Sequence, residues 1–85
     1  MSKGFDAVEK KAKDLGVGNL LKSKFLENAT LEQYENYTNL MIEASGRLGT
    51  EGAEDFYNNF NGIMANATEE QREQVLNMLN DFDFS

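Results

Sequence analysis

The sequence predicts an all-α protein, a compact bundle of four to five short helices that can pair as two helical hairpins. Apolar residues recur at helical spacing in several stretches, whereas no stretch keeps the two-residue alternation of a β-strand. Proline is absent, so glycines and the Asn or Thr caps separate the helices. Residues 1–85 are therefore expected to form a single helical domain.

The first predicted helix rests on a regular apolar pattern near the start of the chain. Its apolar residues fall at steps of three and four: Phe5, Val8, Ala12 and Leu15. Asp6 and Glu9 come early in this stretch, and Lys10, Lys11 and Lys13 come late, as the helix dipole favours. Gly16 is the predicted end of this helix.

A short second helix is expected after the glycine-containing break at residues 16–18. Asn19 is suited to cap it, because its side-chain oxygen can accept a hydrogen bond from a free backbone N–H. The apolar residues of this stretch are Leu20, Leu21, Phe25 and Leu26. They do not define one clear helical face.

The third helix has the strongest signal. Thr30 and Gln33 can form a capping box, in which each side chain accepts a hydrogen bond from the backbone N–H of the other residue. The apolar arc comprises Leu31, Tyr34, Thr38, Met41, Ile42, Ser45 and Leu48, and the polar face comprises Glu32, Glu35, Asn36, Asn39 and Glu43. Gly46 and Gly49 are two alternative ends for this helix.

Two further helices are expected in the second half of the chain. The fourth, with Thr50 as a cap, carries a narrow apolar stripe from Ala53 onward that comprises Phe56, Tyr57, Phe60, Ile63 and Met64. Thr68 and Gln71 repeat the capping box. The fifth helix then presents Val75, Leu76, Met78, Leu79 and Phe82 on one side.

One short segment occurs twice. Residues 28–33 read Asn-Ala-Thr-Leu-Glu-Gln, and residues 66–71 read Asn-Ala-Thr-Glu-Glu-Gln. The repetition has two explanations, an internal duplication of a helical hairpin or the independent use of the same good cap. Independent capping is the better supported of the two, because two copies are too few to establish a repeat.

The net charge of -7 is unevenly distributed. Residues 1–24 hold six lysines against three acids, a balance of +3, whereas residues 25–85 hold two arginines against twelve acids, a balance of -10. Direct binding to nucleic acid needs clustered cations, so the acidic main body disfavours it. The distribution favours a basic site on a partner protein.

The residue types needed for most active sites are missing. Histidine and cysteine are both absent, which removes the commonest general base, the commonest metal ligand and all thiolate chemistry. An EF-hand register with Gly62 at its glycine position puts Tyr57 and Thr68 where acidic calcium ligands belong, so the calcium pattern fails. No enzyme activity, cofactor or metal site is therefore predicted.

A cytoplasmic location is expected. No apolar run approaches the length of a membrane span or the core of a signal peptide. The lack of cysteine favours a reducing compartment. No membrane partner is predicted.

The leading functional hypothesis is a non-enzymatic protein interaction module or regulator, whose acidic surface recognises a basic site on a partner protein. Tyr37, near the edge of the third helix, has two interpretations, the edge of the core, which is the better supported, or an anchor for a partner. At the acidic, aromatic end of the chain, Phe84 either anchors a partner while the acids steer it or lies free in solvent. The predicted partner-binding residues are Glu32, Glu35, Glu43, Glu69, Glu70, Glu73, Tyr37, Asp81, Asp83 and Phe84.

Three alternatives stay open. The runner-up is a nucleic-acid mimic or other small inhibitor of a DNA- or RNA-handling enzyme, of the type that phages and mobile elements use. A third is a homo-oligomer, in which the lysine-rich first helix of one copy meets the acidic face of another. An enzyme that uses carboxylates alone is the remotest, since acid-base pairs need a cleft and one raised pKa.

Overall fold

The computed structural model describes residues 3–79. Its elements in chain order are α1 (Lys3–Asp14), two short 3-10 helices (Gly18–Leu21 and Lys24–Leu26), α2 (Leu31–Ala65) and α3 (Glu69–Met78). The predicted all-α class is confirmed. The predicted number of helices is wrong, because residues 3–79 contain three α-helices and not four to five.

Helix α1 ends as the sequence predicted. The backbone N–H of Gly16 donates to the carbonyl oxygen of Lys13 at 3.1 Å, and that of Val17 donates to the carbonyl oxygen of Ala12 at 2.9 Å. This pair of bonds is a Schellman motif, with Gly16 in the left-handed region at φ 80°. Ala12 and Val17 are both buried, so the same turn closes the helix and adds an apolar contact to the core.

The predicted second helix is replaced by the two 3-10 helices. Ser23, between them, has the extended conformation φ -117°, ψ 137°, so the helical backbone is interrupted there. Leu20, Leu21 and Leu26 are nevertheless all buried. No single α-helical face could bury all three, so burial in the tertiary structure outweighs local helix preference here.

Helix α2 is bent back on itself. A straight helix of its 35 residues would be about 50 Å long, whereas the longest dimension of the molecule is 31 Å. At Gly49 the backbone takes φ 78°, ψ 175°, which is not helical. The first arm (residues 31–48) and the second arm (residues 50–65) then lie side by side, and the ring of Tyr37 stacks on that of Phe60.

The bend joins the predicted third and fourth helices into one element. Of the two alternative ends, Gly49 is where the backbone leaves the helical conformation, and Gly46 stays helical. Thr50, predicted as a cap, lies inside α2. A Cβ atom added to Gly52 would lie 2.6 Å from the Cβ of Leu48, so the tight bend requires a residue without a side chain at that position as well.

The core lies between the two arms of α2 and is closed by the other elements. Tyr37, Met41 and Met64 are its largest fully buried apolar side chains. Phe25 packs its ring edge against Tyr37, with ring centroids 5.4 Å apart. Leu76 of α3 is buried against the same cluster. Helix α1 covers the other side of the first arm, where Phe5 meets Tyr34.

Both predicted capping boxes are confirmed. Thr30 begins α2 and Thr68 begins α3, with nearly identical backbone angles of φ -71°, ψ 165° and φ -71°, ψ 164°. In each box the threonine oxygen accepts from the glutamine N–H and the glutamine oxygen accepts from the threonine N–H. The shared geometry accounts for the repeated segment as a cap, and the duplication stays a hypothesis.

Candidate interaction surface

Three glutamates lie on one exposed side of the first arm of α2. Glu32, Glu35 and Glu43 are all exposed, and their spacing puts them within one side of the helix, away from Tyr37, Met41 and Ala44 of the core. Glu32 and Glu43 are separated by about 16 Å along the helix axis at about 1.5 Å per residue. We call these three residues the α2 acidic face.

Three more glutamates lie on exposed positions at the start of α3. Glu69 and Glu70 belong to its first turn, where the helix dipole favours negative charge, and Glu73 follows a turn later. We call Glu69, Glu70 and Glu73 the α3 acidic cluster. The assignment of all six glutamates to partner binding stays a prediction. It requires that they be exposed, and all six are.

The α3 acidic cluster is held next to the start of α2. The side-chain amide of Gln33 donates to Oδ1 of Asn77 at 2.9 Å. Glu73 precedes Asn77 by four residues and so lies on the same side of α3. Gln33 and Glu73 line one depression. The α2 acidic face and the α3 acidic cluster therefore lie on neighbouring helices.

Most of these carboxylates form no ion pair among the described residues. Within residues 4–79 the ion pairs are Lys10 with Asp14 at 3.2 Å and Arg47 with Glu43 at 3.6 Å, both on exposed side chains. Of the six glutamates only Glu43 is paired. The others keep their charge in water, where it costs little and stays available to a partner.

The assignment of Tyr37 to partner binding is wrong, because Tyr37 belongs to the core. The side chain is 0 % exposed, because the second arm of α2 places Phe60 on its ring and the second 3-10 helix places Phe25 against its edge. A partner therefore cannot touch it. Asn36, assigned to the polar face, is also buried and donates from Nδ2 to the carbonyl oxygen of Leu76 at 3.5 Å.

The hydroxyl of Tyr37 is an unusual buried group. Neither it nor the nearby buried hydroxyl of Ser23 makes a hydrogen bond of ordinary geometry among the described residues. Burial raises the pKa of Tyr37 well above its ordinary value. The Ser23 hydroxyl lowers this pKa in part, and the electrostatic effect of Tyr57 raises it further. Tyr57 itself donates its hydroxyl to the carbonyl oxygen of Lys22 at 3.0 Å.

Three predicted partner-binding residues belong to the end of the chain. Asp81, Asp83 and Phe84 lie outside the described residues 3–79. Their assignment to partner binding stays a prediction.

Sequence reasoning missed a groove between the second 3-10 helix, the end of α2 and α3. Its volume is about 500 Å³, and it is lined by Lys24, Phe25, Glu27, Asn28, Asn61, Met64, Ala65 and Arg72. We call it the Arg72 groove. The signal that could have found it is Arg72 itself, one of two cations in the acidic residues 25–85.

Two general findings concern the described part of the chain. No group of three or more acidic side chains within it is arranged to hold a metal ion. None of its helices combines the length and the apolar character needed to cross a bilayer.

Comparison with known proteins gives no family for this chain. It matches no protein-family model, and no curated protein or solved structure is significantly similar to it.

Proposed function

We propose that this protein is a non-enzymatic interaction module or regulator that binds a basic site on a partner protein. The contact is made by the α2 acidic face together with the α3 acidic cluster. The observation that carries the proposal is the set of six exposed glutamates on two packed helices, five of which have no ion-pair partner within residues 4–79. The cysteine-free composition favours the cytoplasm as the place where it acts.

Rigidity supports this function. Each acidic helix starts in a capping box, and α3 is fastened to α2 by the bond from Gln33 to Asn77 and by the bond from Nε of Arg72 to the carbonyl oxygen of Met64. Charges on ordered helices lose little further conformational entropy when a partner binds. They also steer a basic partner during the encounter, which raises the association rate.

A nucleic-acid mimic that inhibits a DNA- or RNA-handling enzyme is the second candidate. Its support is the placement of Glu32, Glu35 and Glu43 on one side of one helix. The charge density weighs against it. Three charges over about 16 Å of helix give about one charge per 5 to 8 Å, whereas a DNA strand carries one per about 3.4 Å.

The test compares two variants of equal charge change. The binding variant carries Glu32→Gln, Glu35→Gln and Glu43→Gln. The matched control carries three changes on exposed acids of the second arm, Glu51→Gln, Glu54→Gln and Asp55→Asn. A partner captured from native lysate by the wild-type chain is identified, and its affinity for all three proteins is measured at low and moderate salt.

We expect the binding variant to lose about tenfold in affinity, because three exposed charge pairs contribute about 0.5 kcal/mol each. The control variant should bind like the wild type, and the wild-type affinity should fall as salt rises. Equal loss in both variants would show an unspecific effect of net charge and would defeat the proposal. Competition with DNA for the same enzyme would favour the mimic, and self-association in sedimentation would favour the homo-oligomer.

A further inference from the structure

The Arg72 groove has a chemistry different from that of the acidic surfaces. It contains two cations, Lys24 and Arg72, and one acid, Glu27. Four residues of the groove, Lys24, Phe25, Asn28 and Arg72, also line the neighbouring depression, whose lining includes Glu69 and Glu73. An anionic ligand is therefore inferred from the donors that Arg72 leaves unused and not from the net charge of the groove.

Arg72 is held in place with most of its donors unused. Its Nε donates to the carbonyl oxygen of Met64 at 2.9 Å, and its backbone N–H donates to the carbonyl oxygen of Thr68, the residue that caps α3. Among the described residues its two terminal nitrogens make no hydrogen bond, and no carboxylate lies within ion-pair distance of them. The side chain is partly buried, so water replaces those missing partners less well than on an open surface.

Apolar surface lies beside these cations. Phe25 is partly exposed and Ala65 is exposed, and both line the groove above the fully buried Met64. The side-chain amides of Asn28 and Asn61 complete the lining. The volume of about 500 Å³ falls within the range of small-molecule sites, about 300 to 1,000 Å³.

We propose that the Arg72 groove binds a small monocarboxylic acid with an aromatic or similarly apolar body. The terminal nitrogens of Arg72 pair with the carboxylate as a fork, which is the geometry that guanidinium groups favour. Lys24, which is exposed and has no ion-pair partner among the described residues, adds its charge at the rim. The apolar body lies against Phe25 and Ala65.

A monoanion suits this groove better than a phosphate. Glu69 and Glu73, which line the neighbouring depression together with Arg72, would repel a phosphate dianion more strongly than a carboxylate. Phosphate also has no apolar surface to bury against Phe25. The proposed site does not depend on the acidic surfaces, so either proposal can fail without the other.

The experiment is a titration of the ¹⁵N-labelled full chain, followed by amide chemical shifts, with three probes. The first is 3-phenylpropionate, the second is its neutral amide 3-phenylpropanamide, and the third is acetate, which lacks the apolar body. We expect saturable shifts from 3-phenylpropionate around Phe25, Asn61 and Arg72. Both other probes should bind at least about tenfold more weakly, because each lacks one of the two recognised parts.

Variants of Lys24 and Arg72 test which of the two cations recognises the carboxylate. Lys24→Gln and Arg72→Gln should each weaken 3-phenylpropionate, and Arg72→Gln should do so by at least about tenfold. The matched control is Lys11→Gln, which removes an exposed lysine of α1 and should leave binding unchanged. If Arg72→Gln does not fold, Lys24→Gln and the neutral amide still decide the question.

Three results would overturn the proposal. One is equal binding of the acid and its amide, which would remove any role for the cations. Another is shifts confined to residues outside the groove. The third is equal weakening of 3-phenylpropionate by Lys11→Gln and by the groove variants, which would reflect the total charge and not a site.

Discussion

The ring of Tyr37 on the first arm of α2 stacks on the ring of Phe60 on the second arm, with centroids 5.6 Å and planes 29° apart. The two residues are 23 positions apart in one helical element, so only the bend at Gly49 can bring them together. The contact buries Tyr37 completely. It makes the arms a helical hairpin whose inner side forms the centre of the core.

The bend at Gly49 should be sensitive to substitution. Its φ of 78° and ψ of 175° lie in a region that residues with a side chain rarely adopt, so Gly49→Ala should lower the free energy of unfolding by about 1 to 3 kcal/mol. Gly46→Ala is the control, because Gly46 is helical, exposed and has open space around it. It should raise stability by about 0.5 to 1 kcal/mol. Urea unfolding measures both, and equal effects would contradict the assigned bend.

Gly52 should resist substitution for a steric reason. A new Cβ would lie 2.6 Å from the Cβ of Leu48, which cannot rotate away, so Gly52→Ala should cost about 1 to 3 kcal/mol of stability. The comparison is Gly62→Ala on the same arm, where a Cβ meets nothing within 4 Å. That change should stabilise by up to about 1 kcal/mol. Thermal unfolding of the two variants distinguishes crowding from a general effect of alanine.

The buried hydroxyl of Tyr37 should contribute nothing to stability near neutral pH. Among residues 3–79 it makes no hydrogen bond of ordinary geometry, so Tyr37→Phe should be neutral or stabilising by up to about 1 kcal/mol. Tyr57→Phe removes the bond to the carbonyl oxygen of Lys22 and should cost about 0.5 to 1.5 kcal/mol. Chemical denaturation gives both values, and a large loss in Tyr37→Phe would show that its hydroxyl has a partner.

Alkaline unfolding should depend on the same residue. Burial raises the pKa of Tyr37 above the ordinary value of 10.0, so the folded chain keeps a proton that the unfolded chain releases. Stability from this source is complete below pH 10.0 and falls as pH rises from there toward the raised pKa. Tyr37→Phe should therefore lose less stability above pH 10.0 than the wild type. Parallel pH curves for the two proteins would contradict this prediction.

Helix α3 should open more readily when its bond to α2 is removed. Asn77→Ala deletes the acceptor of the Gln33 side chain and leaves both capping boxes intact, so the loss should be about 0.5 to 1.5 kcal/mol. The expected result is faster amide hydrogen exchange confined to α3. Gln74→Ala, on an exposed position of the same helix, is the control and should not speed exchange.

Local features of the fold could be predicted from the sequence because they depend on neighbouring residues. The two capping boxes and the end of α1 at Gly16 each involve residues within a few positions of one another. The exposure of the six glutamates also follows from helical periodicity. These features carry the proposed acidic surface.

Other features could not be predicted because distant residues decide them. Leu20, Leu21 and Leu26 become buried through two 3-10 helices and not through one amphipathic helix. The sequence places Asn36 on the polar face of its helix, whereas in the structure α3 covers this residue. The Arg72 groove forms where three separate segments of the chain meet. The spacing of residues along the chain does not predict that these segments come together.

By itself, the sequence determined the helical class, the caps and the exposed acids, since backbone hydrogen bonding and side-chain periodicity act over one or two turns. The tertiary structure alone decided that Gly49 folds α2 into two arms, that Tyr37 is enclosed and that Arg72 faces a groove. Those outcomes depend on which apolar surfaces bury one another across long stretches of chain. Burial of that kind is a property of the whole packed molecule.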